Sequence, residues 1–214
     1  MKALLLANGD LFQPDILRSR IRSESFDMVI GVDGGSQYAD TLGVTLDAII
    51  GDLDSLSDSE QQGSSNTEYI SYPREKDETD LELALLYAAE QGAKHIAMVG
   101  VMGGRMDMTI SNILLIAHAD LNECKVEVWH GGQTGWVIRP PGGDISGHRG
   151  DTVSLIPLGG NASGITTVGL KYPLKDATLT SGIARGISNL LERTSAHVEL
   201  SEGLLLAVHT TGEA

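Results

Sequence analysis

The chain has 214 residues, 41% of them hydrophobic and 21% charged, which is enough apolar material for one large or two small globular domains and argues against a disordered chain. A formal net charge of −14 argues against nucleic acid as a partner, because phosphates would be repelled. The single cysteine, Cys124, excludes an internal disulfide, and no apolar run approaches the ~20 residues of a membrane span, so a cytoplasmic protein that engages no membrane is expected.

The apolar run 3–7 reads as a strand closed by Asn8-Gly9-Asp10, far too short for a secretory leader. A second strand over 28–32 ends at Asp33-Gly34-Gly35, with Ser36 as N-cap of a helix over 37–42. A third, 48–50, runs into Gly51-Asp52-Leu53-Asp54-Ser55, and a fourth, 69–72, is closed by Pro73. A helix over 81–90 ends at Gly92. The fifth strand, 96–101, leads through Gly103-Gly104-Arg105 into a helix over 107–119, whose Ile110, Ile113, Leu114 and Ala117 fall on one apolar stripe. Strand–helix alternation of this kind predicts a mainly parallel sheet.

From about residue 121 the pattern changes. The segments 126–130, 136–139, 152–158, 165–170, 178–180, 187–191, 197–200 and 204–209 are short, β-rich and separated by Gly, Pro, Asn and Ser. Pro140-Pro141-Gly142-Gly143 reads as a surface turn. The expected fold class is therefore α/β: an N-terminal mainly parallel α/β sheet domain, 1–122, followed by a C-terminal β-sandwich domain, 123–214.

The polar residues of the first half follow the strands, and open α/β sheets bind ligands beyond the carboxyl ends of their strands. Asn8, Asp33, Asp52, Asp54 and the stretch from Gly103 to Asp107 all sit there. Asp52 and Asp54, two apart on extended chain, point to one side and repel unless a cation lies between them; a solvated acidic turn is the plainer alternative. Thr79 with Glu82 three residues later forms a capping box, which accounts for Thr79 but leaves Asp80 available as a further carboxylate. Gly103-Gly104-Arg105-Met106-Asp107 is either a tight turn with Asp107 as N-cap or a phosphate cradle at a helix amino end, with Asn112 one turn further on. The six histidines show no metal-ligand spacing, and neither a Gly-x-Ser-x-Gly elbow nor a Gly…Gly-Lys-Ser loop is present.

Taken in order, Asp33-Gly34-Gly35, Gly51-Asp52-Leu53-Asp54-Ser55, Thr79-Asp80 and Gly103-Gly104-Arg105-x-Asp107 with Asn112 resemble the thiamine pyrophosphokinase family. The run from Val153 to Leu158, Thr167-x-Gly169-Leu170-x-Tyr172-x-Leu174 and Gly186-x-Ser188-Asn189 resemble its thiamine-binding β domain. The resemblance implies thiamine and ATP as substrates, Mg²⁺ as cofactor, transfer of a pyrophosphoryl group with release of AMP, and a homodimer with its sites at the subunit interface. It implies Asp33, Asp52, Asp54 and Asp80 as metal carboxylates, the last three also catalytic, and Ser188 and Asn189 as thiamine contacts. Asn8, Asp33, Gly34, Thr79, Gly103, Gly104, Arg105, Asp107 and Asn112 would form the nucleotide side. Two positions depart from the family. Met108 stands where His or Gln is common, and Gly203-Leu204-Leu205-Leu206 lacks the tryptophan of some members. The rival functions are a phosphatase of the haloacid-dehalogenase type, suggested by Asp52-Leu53-Asp54, and a non-catalytic Mg-nucleotide or thiamine-binding protein.

Overall fold

A computed structural model of the chain describes residues 1–51, 67–73 and 75–212. The fold is mixed α/β, and its contacts fall into two compact units, Met1–Gly131 and Gly132–Ala214. Among the described residues no helix is long and apolar enough to cross a membrane.

In the first unit the strands are β1 (Lys2–Leu6), β2 (Met28–Val32), β3 (Ala48–Gly51), β4 (Glu68–Ser71), β5 (His95–Val99) and β6 (Lys125–His130). They pair in the order β4-β3-β2-β1-β5-β6, every pair parallel. The chain steps outward from β1 to β4 and then returns to place β5 on the other flank of β1. That reversal opens a crevice beyond the carboxyl ends of β1 and β5, where the two neighbouring connections leave in opposite directions. The helices are α1 (Pro14–Glu24), α2 (Tyr38–Leu42), α3 (Asp80–Glu90) and α4 (Met106–Leu114). Leu4, Leu6, Leu17, Ile21, Val99 and Trp129 belong to the core they close.

The second unit is antiparallel. Its strands are β7 (Gln133–Ile138), β8 (Gly142–Ser146), β9 (Thr152–Val168), β10 (Ala177–Leu179), β11 (Asn189–Leu190), β12 (Ser195–Glu199) and β13 (Glu202–Thr210). The order is β7-β13-β9-β12-β8, with β10 and β11 also on β9. β9 turns a corner at Gly159, Gly160 and Gly164, all at positive φ, so its first half pairs with β13 and its second with β10 and β12. Ile145, Val153, Leu155, Ile165, Val198 and Leu205 lie in its core.

Several expectations change. α1 was not foreseen; Pro14 at its first turn and Leu17 and Ile21 one turn apart are its signals. Ser36 is no N-cap, because its hydroxyl donates to the Asp33 carbonyl at 3.1 Å within a 3-10 turn, Asp33–Gln37, that precedes α2. α4 stops at Leu114 and does not bury the expected stripe: Ile110 and Leu114 are exposed, while Asn112 is buried. The turn at Pro140-Pro141 passes at Gly142 directly into β8, where a β-carbon would collide with the Val198 carbonyl. β6, assigned from sequence to the second domain, groups by contacts with the first unit.

Away from the crevice, within β6 and in register with Ala97 in the middle of β5, Glu127 is buried. It accepts hydrogen bonds from Trp129 Nε1 at 2.8 Å, His95 Nε2 at 3.1 Å and Arg20 at 3.4 Å, and the Arg20 guanidinium lies 3.5 Å over the Trp129 ring. Burial pushes the Glu127 carboxyl pKa up, but the bonds from His95, Lys125 and Trp129 outweigh it and hold the group well below its ordinary value of 4.5. A depressed carboxylate pKa stabilises the fold above that ordinary value, and the contribution is lost as pH falls through the folded-state value. Glu127→Gln should therefore cost on the order of 2 kcal/mol at pH 7. Urea unfolding at pH 7 and at pH 3 should show that gap narrowing at the lower pH; an equal gap at both would refute the linkage.

Candidate active site

The crevice at the β1/β5 reversal is a cleft of about 500 Å³, within the range of small-molecule sites. Ala7, Asn8, Gly9 and Asp10 line it from the end of β1, Val32 and Asp33 from β2, Thr79 to Leu81 from the start of α3, and Val101 and Gly103 to Arg105 from the end of β5. Met108 and Asn112 complete it from α4. Four connections thus converge, and each reaches the cleft because it leaves the carboxyl edge of the sheet.

The loops meet closely because glycines let backbone approach backbone. Gly9 donates to the Gly100 carbonyl at 2.6 Å and Asp10 to the Met102 carbonyl at 2.6 Å, carrying the β1–β5 contact past the strands. A β-carbon at Gly35 would run into the Leu6 carbonyl, and one at Gly34 would sit 2.6 Å from Asn8 Nδ2. Asp33 holds φ at 48°, a left-handed conformation costly for a residue with a side chain, and its carboxylate lies against Gly51 where any β-carbon would collide with it.

Of the expected site residues, the fold brings Asn8, Asp33, Thr79, Asp80, Gly103, Gly104, Arg105 and Asn112 to this cleft. Gly34 supports it by packing on Asn8, whose Oδ1 accepts from Gln37 Nε2 at 3.1 Å. Asp107 does not line it. Its exposed carboxylate accepts two hydrogen bonds from Arg105, at 3.1 and 2.6 Å, and one from the Met108 backbone at 2.9 Å. The Arg105 bond holds the Asp107 carboxyl below its ordinary value. Thr79 caps α3, its hydroxyl accepting from Glu82 N at 3.2 Å; the Glu82 carboxylate lies 3.5 Å from His118 Nε2. Asp52 and Asp54 lie outside the described residues.

Two further groups escaped the sequence reading. Asp10 lines the cleft with its carboxylate against Gly103. Lys76 pairs with the Asp80 carboxylate one helical turn on, and its side chain is only 13% exposed. Asp10 carries the same signal as Asp33, an acid just past a strand, whereas Lys76 shows only a spacing of four that many surface pairs share.

Asn112 is 8% exposed. Its Nδ2 donates to the Val101 carbonyl at 3.0 Å, and its Oδ1 has no partner, the one such atom found among the buried side chains described. The contact to a carbonyl fixes the amide's orientation, because only the nitrogen can donate. Among the described residues no group of three or more His, Cys, Asp or Glu could hold a metal ion by itself. The oxygen chemistry of Asp10, Asp33 and Asp80 nevertheless fits magnesium, which keeps waters and shares ligands with substrate phosphates.

In the second unit Asn189 is buried, and its amide is occupied: Oδ1 accepts from Tyr172 N at 3.0 Å and from its own neighbour Leu190 N at 2.9 Å, and Nδ2 donates to the Tyr172 carbonyl at 2.8 Å. Ser188 is exposed at φ 55°, with its N–H bonded to Ser154 Oγ at 3.0 Å. Asn189 lines a pocket of about 310 Å³ with Tyr172, Leu174 and Arg185, whereas Ser188, between Ile187 and Asn189, does not line it.

Residues 21–128 match the family described as thiamin pyrophosphokinase, catalytic domain, and residues 143–205 match thiamin pyrophosphokinase, vitamin B1 binding domain. The chain is similar to the thiamine pyrophosphokinase of Bacillus subtilis (strain 168), 31% identical over 187 residues that cover 85% of this chain and 86% of that protein. Its fold is similar to the crystal structures of thiamine pyrophosphokinase from Bacillus subtilis (TM-score 0.85, 24% identity, 99% of each chain) and of thiamin pyrophosphokinase from Geobacillus thermodenitrificans (TM-score 0.83, 25% identity, 100% of this chain and 99% of that one).

Asn189→Leu removes the partner of both Tyr172 backbone groups, so it should destabilise the second unit by about 2 kcal/mol. Limited trypsinolysis after Lys171 and Lys175 should be faster than in the parent. Unchanged cleavage and melting would show that the amide does not hold this loop.

Proposed function

The chain belongs to the thiamine pyrophosphokinase family, enzymes that diphosphorylate thiamine with ATP as co-substrate, and we propose that the first-unit crevice is where this chain activates the nucleotide. The observation that carries the assignment to this crevice is the convergence of acidic loops and a glycine turn from four connections, three of them within the segment 21–128 that matches the catalytic domain. A phosphatase of the haloacid-dehalogenase type is set aside by the family match along both halves of the chain.

In the reaction the primary hydroxyl oxygen of thiamine forms a bond to the β-phosphorus of ATP, the bond from that phosphorus to the α-phosphate oxygen breaks, and AMP leaves with the electron pair. The hydroxyl proton is released. Transfers of this kind call chiefly for positioning and charge neutralisation. The Gly103 N–H is taken by Thr109 Oγ1 at 3.2 Å, which pins the turn; the Gly104 N–H, at the amino end of α4, suits a phosphate oxygen, and Arg105 supplies a fixed positive charge there. Asp107 holds the Arg105 fork from outside the cleft. Asp33, Asp52, Asp54 and Asp80 would hold Mg²⁺, which when bound supplies the positive charge that a triphosphate needs beside so many carboxylates. Lys76 keeps Asp80 neutralised and aimed along α3. On the vitamin side Ser188, exposed beside the pocket-lining Ile187 and Asn189, would contact thiamine, and Asn189 shapes that pocket through Tyr172.

The finer organisation follows the same reading: an α/β nucleotide-binding domain followed by a β-sandwich thiamine-binding domain, active in the cytoplasm as a homodimer with sites at the subunit interface. Exposed apolar side chains support the dimer. They are Met106, Ile110 and Leu114 along α4 beside the cleft, and Tyr172, Ile183 and Ile187 in the second unit.

Incubation with ATP, Mg²⁺ and thiamine should yield thiamine diphosphate and AMP by mass spectrometry; thiamine monophosphate with ADP would overturn the proposed transfer. Asp80→Asn should lower turnover about 100-fold or more with the melting temperature little changed. Near-parental turnover would remove Asp80 from the site.

A further inference from the structure

We infer that Asn112 Oδ1 accepts a hydrogen bond from the nucleoside part of the nucleotide, making this one atom a determinant of which nucleotide the cleft takes. The inference rests on the assignment of the cleft to ATP. Asn112 is more than nine-tenths buried, lines the cleft, and has its nitrogen committed to the Val101 carbonyl, so the oxygen that remains can only accept. A buried acceptor left unmatched is costly, which makes a ligand that brings a donor strongly preferred over one that does not.

The donor is not a phosphate. At neutral pH phosphate oxygens are acceptors, and two acceptors facing each other repel. The features that suit phosphate are the Gly104 N–H and Arg105, at the amino end of the helix. Asn112 lies six residues further along α4 than Met106, its first residue, about 9 Å at the usual helical rise. A nucleotide anchored by its phosphates at the helix start thus brings other atoms to Asn112. The donors ATP has away from its phosphates are the ribose 2′- and 3′-hydroxyls and the 6-amino group of the purine. Thiamine, which also carries donors, is drawn to the second unit, where the vitamin B1 binding match lies.

The test is calorimetric binding, without thiamine, of ATP, 2′-deoxy-ATP, 3′-deoxy-ATP and the triphosphate of purine riboside, which lacks the 6-amino group. At least one of the three analogues should bind the parent about tenfold more weakly than ATP. The analogue that does so identifies the donor as ribose or base. Asn112→Leu, close in size but without the oxygen, should bind ATP about tenfold more weakly and lose that discrimination. If all three analogues bind the parent within twofold of ATP, solvent alone satisfies the oxygen and the inference fails while the cleft assignment survives. If Asn112→Leu folds and still discriminates, the inference also fails; should that variant not fold, the analogue series on the parent decides alone. If the parent binds no nucleotide at all, the cleft assignment itself is wrong.

Discussion

The close approach of backbone to backbone at the carboxyl edge of β1, β2 and β5 is the constraint on which the rest depends. Gly9 and Asp10 reach across to carbonyls beyond β5, and Gly35 lies against the Leu6 carbonyl. Any side chain at Gly35 would push the turn after β2 off the sheet, because the atom in its way is backbone and cannot rotate aside. The same crowding holds Asp33 in a left-handed conformation that a residue with a side chain adopts only when its surroundings insist. The cleft is therefore built by what the loops lack. Glycines remove bulk, and Asn8, Asp10, Asp33, Thr79, Asp80, Arg105 and Asn112 supply polar groups beside the apolar Ala7, Val32, Leu81, Val101 and Met108.

Those side chains create an electrostatic problem that the sequence charge already announces. A chain with net charge −14 places Asp10, Asp33 and Asp80 around one cleft. Of the nearby cations, Arg105 is forked onto Asp107 and Lys76 is paired with Asp80. Carboxylates so gathered favour a divalent cation over an anion arriving alone, so a triphosphate would enter as its metal complex. The contrast with Glu127 is instructive. There a single buried carboxylate has Arg20, His95, Lys125 and Trp129 around it, and the charge is spent on holding the fold. Among the described residues the cleft gathers Asp10, Asp33 and Asp80 on a surface open to ligand, whereas Glu127 is closed in by its partners.

Much of this was legible before the structure. Apolar runs located β1, β2, β3, β4 and β5 to within a residue or two, and the rule that ligands sit past the carboxyl ends of strands located their polar neighbours. What escaped depended on which way a helix turns. The stripe Ile110, Ile113, Leu114 and Ala117 has the right period for a buried face, yet α4 orients by Asn112, whose amide reaches the Val101 carbonyl, and Ile110 and Leu114 are left outside. Periodicity gives a face but not its partner. α1 was missed for a related reason: its segment is polar apart from Leu11, Phe12, Ile16, Leu17 and Ile21, and only Leu17 and Ile21 turn inward. β9 was split in two because its corner at Gly159 and Gly160 looks, in sequence, like a loop between strands.

Asn112 and Asn189 show where composition and motif stop and hydrogen-bond accounting begins. Both follow glycine-rich turns in family-like motifs, both are buried, and both were expected to touch ligand. Asn189 has its oxygen and nitrogen on the backbone of Tyr172 and Leu190, so what it offers a substrate is the shape of a loop. Asn112 has half its amide committed and half unmatched, so what it offers is an acceptor. The same side chain thus serves as a scaffold in one place and as a recognition element in the other. Buried polar atoms are nearly always paired. An unpaired one at the wall of a cleft therefore points to the ligand more specifically than the motif that contains it.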